Sequence, residues 1–190
     1  MSDMIRGWFE EHAKVADRVV SQLTPRIEQV GQLLIKTYAG GGKMLTCGNG
    51  GSAADSQHFA EELLGRFLRN RRPLAAISLT SDGTAMTCIA NDFGYPEVFS
   101  RQVQGLAKAG DVVVGFSTSG NSENVLRAMQ AAKQQSAVTV AMLGRDGGKI
   151  APLADHAIIV PSNVTAHIQE MHVVIVHVLC DIVDRWAAGV

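Results

Sequence analysis

Two short polar turns carry the residues of this sequence that could hold an anion. The first, Ser117-Thr118-Ser119-Gly120-Asn121-Ser122, follows an apolar, β-branched segment and precedes a helical pattern. The N–H groups and the dipole at a helix N-terminus favour negative charge, and the hydroxyls add donors without bulk. Gly120 would let the backbone approach a ligand closely. Because the turn has no lysine or arginine, it suits the phosphate monoester of a small molecule; the alternative is that Ser119 or Asn121 only caps the helix.

The second turn, Gly48-Asn49-Gly50-Gly51-Ser52, repeats this arrangement between a short strand and a helix. Two such turns can meet at the carboxyl ends of neighbouring parallel strands, where open α/β sheets bind their ligands. We therefore expect both turns to contribute to one binding site.

Two pairs of polar residues could do chemistry beside these turns. His58 and Glu62 lie four residues apart on the helix after the second turn and share one face, whereas Glu61 points elsewhere. Gln169 and His177 lie eight residues apart on the last helix, about 80° apart in projection, so they can border a common site. Imidazole and oxygen ligands suit zinc. The same set could act as an acid–base pair, with Glu62 as base and His177 as acid.

Other polar residues have simpler interpretations. His167 and His172 fall on other faces of the last helix and are expected to be structural or interfacial. Asn91-Asp92 closes a predicted helix and could be a cap or turn. The four arginines of the segment RFLRNRRP form one small basic patch, expected to be a solvated helix end; they are Arg66, Arg69, Arg71 and Arg72.

Strand and helix patterns alternate along most of the chain. Strands are expected near 43–47, 74–79, 111–116, 137–143 and 156–160, and helices near 52–68, 83–90, 97–107, 122–134 and 165–187. The segment 144–148 is a predicted turn. This alternation predicts an α/β fold, a three-layer sandwich with a central parallel sheet between helices. Residues 4–37 are predicted to be helical in two pieces broken near Pro25, so that 1–39 form an N-terminal helical extension and 40–190 the α/β domain.

The last helix is apolar on nearly all faces from Met171 to Val183, which predicts burial on nearly all faces. A chain of 190 residues can hardly surround such a helix alone. We therefore expect a subunit interface, with the N-terminal helices as partners and a site that a neighbouring subunit completes.

The composition excludes several classes of function. With 46% hydrophobic residues, 18% charged residues and a net charge of −1, the chain shows no electrostatic footprint for nucleic acid or anionic lipid. Cys47, Cys88 and Cys180 are widely spaced and are expected to be buried, reduced thiols. The N-terminus lacks the apolar core of a signal peptide, and the apolar run Val173 to Cys180 is too short to span a bilayer. We expect a soluble, cytoplasmic protein.

Taken together, these motifs resemble the sugar isomerase (SIS) domain and, within it, the phosphoheptose isomerase family. The matching stretches cover nearly the whole chain: CGNGGSAADSQHFAEELLGRF (47–67), CIANDFGYPEVFSRQV (88–103), GFSTSGNSENV (115–125), GRDGGKIA (144–151) and TAHIQEMHVVIVHVLCDIV (165–183). The resemblance implies a flavodoxin-like fold, a homotetramer with active sites at subunit contacts, and conversion of sedoheptulose 7-phosphate to D-glycero-D-manno-heptose 7-phosphate. In the family this reaction is the first step toward nucleotide-activated heptose for bacterial surface glycans.

The resemblance also implies roles for individual residues. One zinc ion would be bound by His58, Glu62, Gln169 and His177, with Glu62 and His177 also the catalytic pair. The substrate phosphate would be held by Ser52, Ser117, Thr118, Ser119 and Ser122. The sugar site would be lined by Asn49, Gly50, Gly51, Asn91 and Asp92, with Glu62 and Gln169 also contacting substrate.

The sequence departs from the family pattern before the last helix. His167 stands where the family often has arginine, and Ala166 where some members have aspartate.

Two alternative functions stay open. Some close relatives are non-enzymatic SIS tetramers that bind the bacterial replication initiator; they lack the acid and histidine present here as Glu62 and His177. The other alternative is an isomerase of a different sugar phosphate, because pocket shape sets the chain length of the sugar.

Overall fold

Five parallel strands form the central sheet of this protein, whose computed structural model describes residues 1–190. They are β1 (Met44–Cys47), β2 (Ala76–Ser78), β3 (Val112–Ser117), β4 (Val138–Gly144) and β5 (His156–Val160). Their spatial order is β2-β1-β3-β4-β5, with all neighbours parallel. This is the flavodoxin-like order, in which the chain changes direction between β1 and β3. The predicted α/β fold with a central parallel sheet is confirmed.

Six α-helices cover the two faces of the sheet. They are α1 (Ser2–Ala39), α2 (Gly51–Leu64), α3 (Gly83–Phe93), α4 (Ser100–Leu106), α5 (Glu123–Gln134) and α6 (Thr165–Ala188). One core joins α1, α2 and α6 to one face of the sheet, and a second core joins α3, α4 and α5 to the other. Successive residues of β3 alternate between these cores: Val112 and Val114 belong to the first and Val113 to the second.

The N-terminal helix is continuous, so the expected break near Pro25 is wrong. Pro25 is exposed and lies inside α1. Val19 before it and Ile27 after it both pack into the core shared with α6. Thr24 donates its hydroxyl to the carbonyl of Val20 at 2.6 Å. Tertiary packing before and after Pro25 therefore keeps the helix continuous, although proline would break an isolated helix at this position.

Helix α6 is the apolar helix of the fold and packs against α1, α2 and the sheet. By length and composition alone it could cross a membrane, yet half of its most apolar stretch is buried inside the protein. His172 on its sheet side is fully buried and lies 3.0 Å from the carbonyl oxygen of Leu143. Burial lowers the pKa of His172 to about 4, although the bond to Leu143 opposes this. His172 is therefore a neutral structural residue that links α6 to β4.

Candidate active site

The two polar turns meet at the carboxyl ends of β1 and β3, which are neighbours in the sheet. Asn49 of the second turn and Asn124 of α5 exchange two amide hydrogen bonds of 2.9 and 2.8 Å. The hydroxyl of Tyr95 donates to Asn49 Oδ1 at 2.9 Å. Asn49 thus holds the turns together, as expected of one shared site. Sequence reasoning did not identify Asn124 or Tyr95, because their role depends on a contact between distant segments.

The hydroxyl-rich turn leaves the start of α5 without a side-chain cap. Ser122 is the N-cap residue and makes no capping bond to the helix backbone; its hydroxyl lies 2.9 Å from that of Ser117. Ser119 accepts an N–H bond from Asn121 within the turn. Hence neither Ser119 nor Asn121 caps the helix, and the backbone N–H groups of Glu123 and Asn124 stay available to an anion. The cap-only alternative is wrong.

Glycines in these turns are required by close packing. Gly120 has a φ of +66°, and a Cβ there would lie 2.1 Å from the carbonyl oxygen of Gly147. The fold therefore requires glycine at 120 so that this turn can contact the 144–148 turn. The expected reason was different, namely close approach of the backbone to a ligand. A Cβ on Gly51 would lie 2.5 Å from Nε2 of Gln169. Glycine at 51 lets the start of α2 approach α6 closely.

A single stripe of α2 faces α6 and carries the candidate chemistry. Gly51, Asp55, His58 and Glu62 are spaced at i, i+4, i+7 and i+11, which places them within about 60° on the helix surface. Gln169 of α6 lies beside Gly51, and His177 lies beside His58. We call this contact between the two helices the α2–α6 seam.

Three of the predicted ligands converge in the seam. His58 Nε2 lies 3.2 Å from Glu62 Oε1 and 3.4 Å from His177 Nε2, and one donor atom from each residue falls within 4.8 Å of the others. Around a zinc ion bonded at 2.0–2.1 Å, neighbouring ligand atoms of a tetrahedron are about 3.3 Å apart. The three donors therefore have the chemistry and the spacing of a zinc site with an open position.

Gln169 lies further along the seam than the other three. Its neighbour Gly51 precedes His58 by seven residues, about 10 Å of helix rise. Its amide is therefore nearer to the N-terminal turn of α2 than to the imidazoles. Glu62 and His177 come together in one chain, so these two residues need not be supplied by different subunits; that a neighbouring subunit completes the site stays a prediction.

Asp55 is a site residue that sequence reasoning missed. It is 9% exposed, and its Oδ2 atom is buried without a hydrogen-bond partner. Burial raises the pKa of Asp55 to about 6, against a smaller lowering by the nearby His58. Unpartnered buried carboxylates with raised pKa values are common at functional sites. The i, i+4, i+7, i+11 spacing could have identified it.

The other predicted substrate residues lie around this centre. Ser52 is buried at the start of α2, and Thr118 is half-buried in the hydroxyl-rich turn. Asn91 and Asp92 lie in the last turn of α3, which ends at Phe93, and both are exposed; Asn91 donates to Asp92 at 2.8 Å. Their role toward a sugar stays a prediction.

Two expectations about the surface are wrong. Arg71 of the basic segment is fully buried as an ion pair with Asp184 of α6, and Arg69 pairs with Asp181. Both partners lie on α6, far away in the sequence, so the local sequence around the arginines could not predict these ion pairs. Cys88 is exposed, since it lies on α3, a helix without buried residues.

A second histidine–carboxylate cluster joins α1 to α6. Oε2 of Glu170 lies 2.8 Å from Nδ1 of both His12 and His167, and Trp8 donates to Oε1 at 3.1 Å. Burial raises the pKa of Glu170, but the bonds from His12, His167 and Trp8 outweigh it and hold that pKa below its ordinary value. The 2.8 Å separations are about 0.5 Å shorter than a zinc tetrahedron requires, so this cluster is a hydrogen-bonded clasp.

Comparison with known proteins agrees with this architecture. The SIS domain family matches residues 7–144. The phosphoheptose isomerase of Helicobacter pylori (strain P12) is 50% identical over 185 residues, covering 97% of this chain and 96% of the relative. That of a Nitratiruptor species is 51% identical over 185 residues, covering 97% and 99%.

Solved structures give the same result. Phosphoheptose isomerase GmhA from Neisseria gonorrhoeae superposes with a TM-score of 0.91 at 43% identity, covering 96% of this chain and 98% of the other. The enzyme from Francisella tularensis gives 0.93 at 37% identity, covering 96% and 97%. With its flavodoxin-like sheet, paired polar turns and seam of histidine and glutamate, this chain belongs to the phosphoheptose isomerase family of SIS-domain proteins.

Proposed function

We propose that this protein is an aldose–ketose isomerase that converts sedoheptulose 7-phosphate to D-glycero-D-manno-heptose 7-phosphate. The reaction would be the first step toward nucleotide-activated heptose for bacterial surface glycans. The observation that carries the proposal is the convergence of His58, Glu62 and His177 in a seam that begins beside the two polar turns. Relatives about 50% identical over nearly the whole chain are phosphoheptose isomerases.

The substrate would lie along the seam with its phosphate at the turns. The uncapped N-terminus of α5 and the hydroxyls of Ser117, Thr118, Ser119 and Ser122 supply neutral donors, with Ser52 at the start of α2. His58 lies six residues beyond Ser52, about 9 Å of helix rise. A substrate with its phosphate and its carbonyl at opposite ends of an extended carbon chain fits this separation.

The chemical step moves a proton between C1 and C2. Glu62, whose side chain is 17% exposed, would remove the proton from one carbon and return it to the other. His177 would donate a proton to the carbonyl oxygen as the enediol forms and take it back afterwards, through the ring nitrogen that does not bind zinc. Partial burial of both groups in the seam limits competing exchange with water.

His58, Glu62 and His177 would hold the zinc ion, with Gln169 as the fourth predicted ligand. When bound, zinc supplies a Lewis acid that polarises a substrate oxygen. Beside these ligands, residues of the polar turns would orient the sugar. Asn49 would bind a sugar hydroxyl through the one amide N–H left over from its bond to Asn124, because Asn124 and Tyr95 already donate to its Oδ1.

We propose a homotetramer because a single chain exposes a large apolar surface to water. Val174 and Val178 of α6 are 46% and 44% exposed, and Val20 of α1 is 68% exposed beside them. Trp8 and Phe9 add exposed apolar surface near the start of α1. Surfaces of this kind mark subunit contacts, and closed symmetry is the usual solution. We further propose a cytoplasmic location, since these relatives are metabolic enzymes of small sugar phosphates.

The decisive experiment is to incubate the purified protein with sedoheptulose 7-phosphate and to follow formation of the aldose by NMR. The Glu62→Gln variant is the matched control, because it keeps the shape and removes the base. No aldose from the wild-type chain would reject the proposed activity. Product from a pentose 5-phosphate at a higher rate would favour an isomerase of another sugar phosphate instead.

A further inference from the structure

The C-terminal end of the α2–α6 seam is closed by a buried ion pair outside the catalytic set. Asp184 of α6 is fully buried, and its Oδ1 accepts a bond of 2.7 Å from Nε of Arg71, whose side chain is also fully buried. Oδ2 of Asp184 accepts the backbone N–H groups of Leu68 and Arg69, both at 2.8 Å. One carboxylate therefore anchors the segment 65–73 at three points.

The guanidinium of Arg71 also closes the end of α2. It donates to the carbonyl oxygens of Glu62 and Leu63, each at 2.8 Å, and to that of Gly65 at 3.1 Å. The last carbonyls of a helix have no partner within it, and a cation there is favourable. Arg71 thus fixes the backbone of the residue that carries the candidate base.

The anchored segment carries Phe67, which contacts the candidate acid. Its ring stacks on that of His177 with centroids 5.3 Å apart and an interplanar angle of 21°. His177 also meets His58 edge-on, with centroids 5.0 Å apart. The imidazole of His177 therefore contacts two rings, and one of them, Phe67, lies on the segment that Asp184 and Arg71 anchor.

We infer that Arg71 and Asp184 are positioning residues for isomerisation, which set Glu62 through its backbone carbonyl and His177 through Phe67. Neither residue touches the substrate site, so each acts through a neighbour. The expected fall in kcat rests on the proposed function, whereas the expected displacement of the His177 ring does not. The inference concerns Arg71 and not Arg66 or Arg72 of the same segment, because these two side chains are exposed.

The test combines kinetics with the ring-proton resonances of His177 in metal-free protein. Arg71→Lys keeps the charge but cannot reproduce bonds to one carboxylate and four carbonyls, and Phe67→Leu removes the stacked ring directly. We expect kcat to fall about 10- to 100-fold in both variants with KM little changed, as for a small misplacement of catalytic groups. Phe67→Tyr should retain activity, and Arg72→Lys is the control from the same segment.

The resonances provide a readout that does not depend on activity. A stacked ring shifts the signals of its neighbour, so the His177 signals in Phe67→Leu define the unstacked state. In Arg71→Lys they should move toward that value, while in Arg72→Lys they should stay at the wild-type value. Wild-type resonances together with wild-type kcat in folded Arg71→Lys would overturn the inference, as would wild-type kcat in Phe67→Leu. The wild-type protein could lack isomerase activity while the His177 resonances still shift in Arg71→Lys. That result would reject the proposed function and leave the positioning inference intact.

Discussion

Replacing Asp55 by asparagine should stabilise the metal-free protein at neutral pH. Burial raises the pKa of this carboxyl from 3.8 to about 6. A group whose pKa is higher in the folded state favours folding while protonated, and that contribution is lost as the pH rises from about 4 through 6. At pH 7–8 the wild-type chain therefore carries a penalty of at most about 3 kcal/mol, at 1.36 kcal/mol per pH unit.

An asparagine at this position would be neutral at every pH, so the variant escapes this penalty. Its amide still leaves a polar atom unpaired, which makes about 3 kcal/mol a ceiling. For a chain of this length the gain corresponds to a rise in Tm of roughly 2–4 °C per kcal/mol. The assay is urea or thermal unfolding with a chelator present, between pH 4 and pH 8. The difference should be largest at pH 8 and vanish near pH 4.

The control for this prediction is Asp17→Asn, because Asp17 is exposed on α1 and lies outside the seam. It should leave stability unchanged across the same range. A wild-type protein as stable as Asp55→Asn at pH 8, or a difference that grows toward low pH, would refute the reasoning. Either result would mean that Asp55 is solvated or paired in solution.

Three further predictions concern the site, and one concerns the fold. Glu62→Gln should lower turnover by roughly 10²–10⁴-fold, and near-full turnover would remove Glu62 as the base. Ser119→Ala with Ser122→Ala should weaken binding of the phosphorylated sugar by about 1.5–3 kcal/mol for each lost charge-assisted bond; calorimetry showing wild-type affinity would contradict this role. Light scattering at micromolar concentration should show a tetramer, yet mixing Glu62→Gln with His177→Ala subunits should restore no activity, because both residues belong to one chain's seam. Neutral His172 should favour folding above about pH 6.5 and lose this contribution as the pH falls toward 4, so His172→Gln should flatten that part of the unfolding profile.

Local patterns were sufficient to predict the elements and the turns. Each strand is a short apolar run followed by small polar residues, and the helical repeat after Gly51 and Ser122 is regular. The pairing of the turns followed from the rule that parallel strands end at one edge. The continuity of α1 through Pro25 could not be predicted in this way, because the packing that overrides the proline comes from α6 and β5.

The missed and misread residues share one physical cause. Arg71 meets its partner Asp184 across 113 positions of the chain, and Asn49 meets Asn124 across 75. A polar residue that is buried by a distant partner looks the same in the sequence as one that is solvated. Asp55 is the exception, since its place on the stripe of Gly51, His58 and Glu62 depends only on helical spacing.

The departures from the family pattern at 166 and 167 can be interpreted from the clasp and the seam. His167 still offers a ring N–H to Glu170, the partner it shares with His12, so its replacement of arginine keeps a donor at that position. Ala166 offers no acidic group. The carboxylates that the seam brings to the site both come from α2, as Asp55 and Glu62. In the proposed reaction, acid–base chemistry would therefore come from α2 and His177, since the start of α6 brings only the amide of Gln169 to the seam and its His167 and Glu170 belong to the clasp.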